Sequence, residues 1–275
     1  FAAFFAGAGL AASGMTFQAL FRNPLATPFT LGVASGASLG AAIGVKLGLD
    51  LSFLFFAGVA LPAFGGALLA ISLVYGLTRL RHGFSTATML LAGVAVSLFF
   101  SSVILFLQYL SDFAENFRIL RWLMGGLAGA GTQAVFNLMP MVLIGAVVLY
   151  ALTHELNLLS VGEDLAASRG VAVRGVRFVL FCATSLMVGV IVAFCGPIGF
   201  VGMMAPHICR LMVGPNHRVL MPASFLFGGA FLVCCDTFAR TIIFPAEIPV
   251  GVITALLGGP FFLWLLLRTP VRSLH

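Results

Sequence analysis

Charge is what this sequence has least of. Of its 275 residues only 8% are Asp, Glu, Lys or Arg, against 61% hydrophobic, and the mean hydropathy is +1.15. A soluble domain carries about 25% charged residues, so a water-soluble globule is excluded and a polytopic membrane protein is implied. Lysine is confined to Lys46, so no phosphate-binding Gly-rich loop ending in Lys-Ser or Lys-Thr is present. Energy for uphill work must come from a separate subunit or an ion gradient. Cysteine is sparse and odd in number: Cys182, Cys195, Cys209, Cys234 and Cys235 lie within or at the ends of apolar runs, without metal-type Cys-x-x-Cys spacing. That argues against a disulfide framework and for small apolar packing residues. The His-Glu-x-x-His arrangement of a metalloprotease is missing. Strand-length alternation is missing as well, while apolar runs of helical length recur. Helices rather than a barrel must therefore satisfy the backbone in lipid.

What is there is a series of nine apolar runs, at about 1–21, 31–49, 53–76, 84–108, 135–153, 177–195, 197–213, 220–240 and 249–267. Most match the roughly 17–25 residues that cross a bilayer. The expected fold is an all-α polytopic bundle, a single transmembrane domain over 1–275. Two runs are irregular. The one ending at Val213 is bounded by Pro197 and Gly214 and contains Pro206, and the one starting at Leu31 is mostly Gly, Ala and Ser and meets Lys46 early. The chain opens at Phe1 inside an apolar run with no basic flank, unlike a signal peptide. The true start is therefore expected upstream.

The formal charge of +6 reports topology rather than nucleic-acid binding. With the polar loop around Ser160 placed in the cytoplasm, alternation puts Arg22, Arg79, Arg81, Arg169, Arg174, Arg177, Arg210, Arg218, Arg268 and Arg272 on that side. Lys46, Arg118, Arg121 and Arg240 fall on the other. This is a clear positive-inside bias. It places Phe1 outside and the carboxy terminus at His275 in the cytoplasm, and again implies one helix before Phe1.

The longest polar interruption runs from His154 to Arg177. Ser160 and Glu163 have the spacing of a capping box, and Glu163 with Asp164 suits the anion-favouring first turn. Arg169 falls in the last turn, and Gly170 is placed to close the helix in the left-handed conformation. About two and a half turns of capped helix are predicted there. A second cap, Asp112 with Glu115, opens the loop from Ser111 to Met124. In it Phe113, Phe117 and Leu120 share one face, Arg118 and Arg121 point elsewhere, and Trp122 suits the headgroup zone. This predicts a helix lying on the outer surface, either an inert anchor or a docking element.

Small residues form faces in two runs: Gly7, Gly9, Ala12 and Gly14 in the first; Gly32, Gly36, Gly40 and Gly44 in the second. The latter repeat every fourth residue and permit close helix approach, whether to a neighbouring helix, a second copy or a pore. Asp236 and Arg240, four apart with the acid first and near Glu247, read as a structural ion pair rather than a transported-ion site. His207, between Pro206 and Arg210, lacks the partners that iron or zinc coordination requires and reads as structural. Gln18, Arg22 and Asn23 lead into an Asn-Pro turn.

Three stretches carry a family resemblance: GMTFQALFRNPLATPFTLGVASGASLGA from Gly14; VGEDLAASRGVAVRGVR from Val161; and GPIGFVGMMAPHICRLMVGPNHRVLMPAS from Gly196, followed by DTFARTIIFPAEIPVGVITALLGGPFFLWLL from Asp236. In order and across essentially the whole chain, these resemble the permease subunits of the iron–siderophore, haem and vitamin B12 ABC importers. The resemblance implies ten helices per subunit, of which this chain carries nine. It implies a second permease copy, identical or closely homologous, and a cytoplasmic ATPase dimer. It also implies a periplasmic or lipid-anchored substrate-binding protein, and a location in the bacterial or archaeal inner membrane. It makes 154–177 the coupling helices, with Gly162, Glu163, Leu165, Ala166, Arg169 and Gly170 at the ATPase contact. Leu165, Ala166 and Arg169 are the expected contacts, since Glu163 and Asp164 serve the cap. Arg118 and Arg121 are expected to hold an acidic surface of the binding protein. No cofactor and no metal is called for, and no enzymatic activity. The alternative class is an ion-coupled secondary transporter, for which Asp236 is the one deep carboxylate.

Overall fold

The computed structural model describes residues 1–49, 52–53, 56–80, 86–127, 131–243 and 246–268. Within them the regular secondary structure is helical apart from one minimal hairpin. The helices are α1 (Ala2–Phe21), α2 (Val33–Lys46), α3 (Ala60–Leu80), α4 (Thr86–Tyr109), α5 (Phe113–Leu123), α6 (Thr132–Ala151), α7 (Thr153–Val161), α8 (Glu163–Ser168), α9 (Val173–Cys195), α10 (Val201–Val213), α11 (His217–Thr241) and α12 (Val250–Arg268). A 3-10 turn, Pro28–Leu31, leads into α2. Among the described residues α1, α3, α4, α6, α9 and α11 are long and apolar enough to cross a membrane, and α2, α10 and α12 are shorter apolar helices. Each predicted run thus corresponds to a helix. The third begins late: Ser52–Phe53 (β1) pairs antiparallel with Phe56–Ala57 (β2), and the helix starts only at Ala60. A short apolar run fits strand and helix alike, which is why composition extended that helix too far. Arg81, Arg272 and His275, used above for the charge count and the carboxy-terminal placement, lie outside the described residues.

α1 is the axis of the bundle. Every residue in it except Phe4 and Phe5 is buried, as expected for a helix that is apolar all round. It packs against α6, α9, α10 and α11, and its small residues set how closely. A Cβ on Gly14 would lie 1.7 Å from the carbonyl oxygen of Gly202 on α10, and one on Gly7 would lie 2.3 Å from that of Gly228 on α11. The stripe on α2 serves the same purpose against α3. A Cβ on Gly40 would lie 2.0 Å from the Pro62 carbonyl oxygen, and one on Gly36 would lie 2.4 Å from that of Gly66. Of the three uses open to this stripe, packing within the chain is the one realised.

The three chain turns at the Arg22 end also follow local chemistry. Arg22 closes α1 in the left-handed conformation (φ 47°), and the Asn23 side chain accepts from the N–H of Leu25 at 2.9 Å, the Asx turn that Asn-Pro favours. Thr27 and Thr30 then form a reciprocal capping box over the 3-10 turn. From α1 inward the arrangement is a helical bundle with α7 and α8 at one end and α5 at the other, because α6 alone crosses between them. At 20 residues α6 is about 30 Å long.

Candidate coupling loop and outer charged face

The polar interruption folds as two short helices, α7 and α8, broken at Gly162, whose backbone is extended (φ 167°, ψ 151°). The predicted Ser160–Glu163 capping box does not form. Ser160 lies inside α7 and donates to the Asn157 carbonyl at 2.8 Å, and no side chain caps α8. Glu163 instead accepts from Arg177 at the start of α9. The Arg177 side chain is only 7% exposed, so a carboxylate partner matters more to it than a cap matters to a six-residue helix. The closing end is as expected. Gly170 is left-handed (φ 83°), its N–H donates to Ala167 and that of Val171 to Ala166, the paired bonds of a Schellman motif.

α8 presents Leu165, Arg169 and Asp164 outward, while Ala166 is fully buried. Ala166 is therefore a packing residue that seats α8 on the bundle, a correction to its expected role as a contact. α7 is held separately. The Asn157 amide accepts from the His217 N–H at 2.9 Å, faces His217 Nδ1 at 2.7 Å and donates to the Asn216 side chain at 3.1 Å, all at the start of α11. Sixty residues separate these partners, and no local pattern could have announced them. The loop is thus fastened to α9 at one point and to α11 at another. Motion imposed on it must pass to both helices.

At the same end Arg210 donates to Gln18 Oε1 at 2.9 Å, tying α10 to α1, and Gln18 donates back to the Met203 carbonyl at 3.4 Å. His207 meets the edge of Phe261 with ring centroids 6.0 Å apart. Within α2, Gly36-Ala37-Ser38-Leu39-Gly40 spells a Gly-x-Ser-x-Gly pattern. Ser38 is buried in mid-helix, however, and not raised on the strand-to-helix elbow that such a nucleophile needs.

The four cations of the minority set gather at the opposite end. Lys46 donates to Glu115 at 2.7 Å and to the Leu110 carbonyl at 2.8 Å, tethering the end of α2 to α5. The Asp112–Glu115 capping box forms as predicted. The Lys46 ammonium holds the Glu115 carboxyl below its ordinary 4.5, and the Asp112 N–H bonded to the same group adds to the effect. On α5 only Ile119 is buried, whereas Phe113 is 90% exposed and Phe117 and Leu120 also face outward. Arg118, Arg121 and Arg240 line one cavity of about 350 Å³ together with Trp122, Asp236 and Glu247. Arg240 bridges two carboxylates across it, Asp236 at 3.0 Å and Glu247 at 3.4 Å. The Ile248 N–H bonds back to Ala239 and closes the turn beneath, so the pair pins the α11–α12 connection. Arg118 and Arg121 are exposed and face no carboxylate at ion-pair distance among the described residues.

The FecCD transport family matches residues 1–268. The chain belongs to that family. It is 44% identical over 268 residues to the cobalamin import system permease protein BtuC of Halobacterium salinarum, covering 98% of this chain and 71% of the relative. It is 38% identical over 263 residues to the hemin transport system permease protein HmuU of Yersinia pestis, covering 95% and 78%. A solved structure described as an inward-facing conformation of a metal-chelate-type ABC transporter superposes with a TM-score of 0.89 at 32% identity, over 98% of this chain and 84% of that one. This FecCD member is accordingly an ABC-importer permease subunit, a multi-pass membrane component without enzymatic activity. Permeases of this kind form dimers and work with an ATPase and a substrate-binding protein. An ion-coupled secondary transporter is not favoured.

Proposed function

We propose that this chain passes a metal chelate or corrinoid (an iron–siderophore, haem or cobalamin) through the bacterial or archaeal inner membrane by alternating access. A second permease copy lies across the pathway, and a cytoplasmic ATPase dimer sits under residues 154–177. A periplasmic or lipid-anchored binding protein sits on the α5 end. The observation that carries the coupling assignment is the double fastening of α7 and α8, by Asn157 to α11 and by Glu163 to α9. A loop held only by its ends would dissipate an imposed displacement. One seated through buried Ala166 moves α9 and α11 with it, which is the requirement for biasing a two-state membrane element. Leu165 and Arg169, both exposed, supply the apolar and cationic contacts to the ATPase, with Gly162 and Gly170 setting the angle of α8.

The test is co-purification and transport. Leu165→Asp and Arg169→Glu each leave the packing face of α8 untouched. Both are expected to weaken co-elution with the ATPase and to cut ATP-driven uptake of cobalamin, haem or a ferric siderophore by about tenfold or more. Full complex formation and full uptake by the double variant would refute the assignment.

A further inference from the structure

Phe200 immediately precedes α10 and lies in an unusual place. Its backbone has φ 67° and ψ −31°, and Arg22 is the one other non-glycine at positive φ among the described residues. Arg22 occupies the ordinary left-handed well at a helix end, whereas the ψ of Phe200 falls outside that well. A bulky residue held so is a strained one, and strain persists where surrounding structure enforces it. The enforcement comes from α12. A Cβ on Gly258 would stand 2.1 Å from Phe200 Cγ, so the ring occupies the space that this glycine leaves, and the Phe262 ring lies 6.3 Å away.

The same residue borders two cavities at once. One, of about 480 Å³, opens among Met124, Pro197, Val252 and Ala255 at the α5 end of α12. The other, of about 240 Å³, lies deeper, among Leu10, Thr27, Phe29 and Met203. Gly199 and Phe200 are the residues common to both walls. Neither wall carries an ionisable side chain, which suits passage of a bulky cargo with a large apolar face rather than an ion.

We propose that the Phe200 ring is the movable partition between these two cavities, and that cargo passes when α12 withdraws Gly258 and Phe262 from it. The inference rests on the transport reading above. Phe200 is then a positioning residue of the pathway. Its strained backbone stores the bias that turns the ring aside once α12 no longer backs it, and the two cavities become one.

The test uses the whole transporter in proteoliposomes, with the five native cysteines replaced by alanine. Met203→Cys reports on the deeper cavity and Ala255→Cys on the outer one. The probe is a membrane-impermeant trimethylammonium methanethiosulfonate added at the α5 side, with labelling read by mass spectrometry. With Phe200 present, Ala255→Cys should label quickly and Met203→Cys slowly. Phe200→Ala should raise labelling of Met203→Cys by about tenfold while leaving Ala255→Cys within about twofold, since labelling follows the open population. Gly258→Ala, which adds a methyl where the ring now sits, should act in the same direction, and Phe200→Tyr should preserve the barrier. Unchanged Met203→Cys labelling in both Phe200→Ala and Gly258→Ala, with Ala255→Cys still reactive, would overturn the partition. Chelate uptake by the unmodified complex is measured separately, so failure to transport would count against the function and not against this barrier.

Discussion

Arg177 shows how one residue can override a local pattern. Removing the carboxylate from a buried ion pair costs more than the about 1 kcal/mol that a serine cap contributes. Glu163 sits between the two demands and answers the larger. Its spacing from Ser160 was legible, but the competitor fourteen residues on was not, because a capping box is written locally and an ion pair is not. Glu163→Ala should therefore lower stability by about 1–2 kcal/mol, discounted because this carboxylate is itself 40% exposed. Ser160→Ala should stay within about 0.5 kcal/mol. Thermal midpoints in detergent would show this, and a larger loss from Ser160→Ala would reverse the assignment. At Asp112 and Glu115 the pattern was obeyed because the nearby cation, Lys46, reinforces the same geometry. Folding lowers the Glu115 pKa, so its stabilisation is present above pH 4.5 and is lost as pH falls below that value. Fluorescence of Trp122 in a Trp264→Phe background should report α5 loosening on acidification below that pH. Lys46→Met should move the change upward in pH toward the ordinary carboxylate range; a profile unaffected by Lys46→Met would show that Glu115 is not the group responsible.

Helices were the legible level, because a membrane leaves few ways to satisfy a backbone and length plus hydropathy then suffice. What the apolar runs did not disclose was which helix is central. α1 carries no signal beyond its uniform hydrophobicity and its glycines, yet it is the buried axis. The glycine stripe of α2 announced a close approach without naming the partner, and α3 supplies it through Pro62, Ala63 and Gly66. Gly40→Ala should force the two helices apart, since its Cβ would stand 2.0 Å from the Pro62 carbonyl oxygen, a backbone atom that cannot swing away. Overpacking of this kind costs roughly 1–3 kcal/mol or more. Gly65→Ala and Gly76→Ala lie on α3 with nothing within 4 Å of the added carbon and make the matched controls. The α2 variant should lose folded yield and thermal midpoint while the two α3 variants keep both. Equal behaviour of all three would mean that the α2–α3 approach is not what the stripe serves.

Over the whole molecule, the charge count separated two groups of cations before any helix was placed, and the structure gathers the minority group at one end. Lys46 joins α2 to α5, while Arg118, Arg121 and Arg240 surround one cavity. Within this end the charges are not equivalent. Lys46 is matched by Glu115, and Arg240 by Asp236 and Glu247. Among the described residues that leaves Arg118 and Arg121, exposed on a helix fixed to the bundle through Ile119 and the Lys46 tether, as cations without an ion-pair partner at this end. A surface that presents two cations beside its own satisfied ion pairs favours an acidic partner on electrostatic grounds and repels a basic one. Arg118→Glu with Arg121→Glu should slow association of the substrate-binding protein by about tenfold at low ionic strength and by less at physiological salt, where the screening length is about 8 Å. Thermal stability should be unaffected, since neither side chain is paired with a carboxylate among the described residues. Surface-immobilised permease in nanodiscs, titrated with its binding protein at two salt concentrations, gives both rates. A loss that is the same at both salts would point to lost shape rather than lost charge, and an unchanged association rate would move the docking surface away from α5.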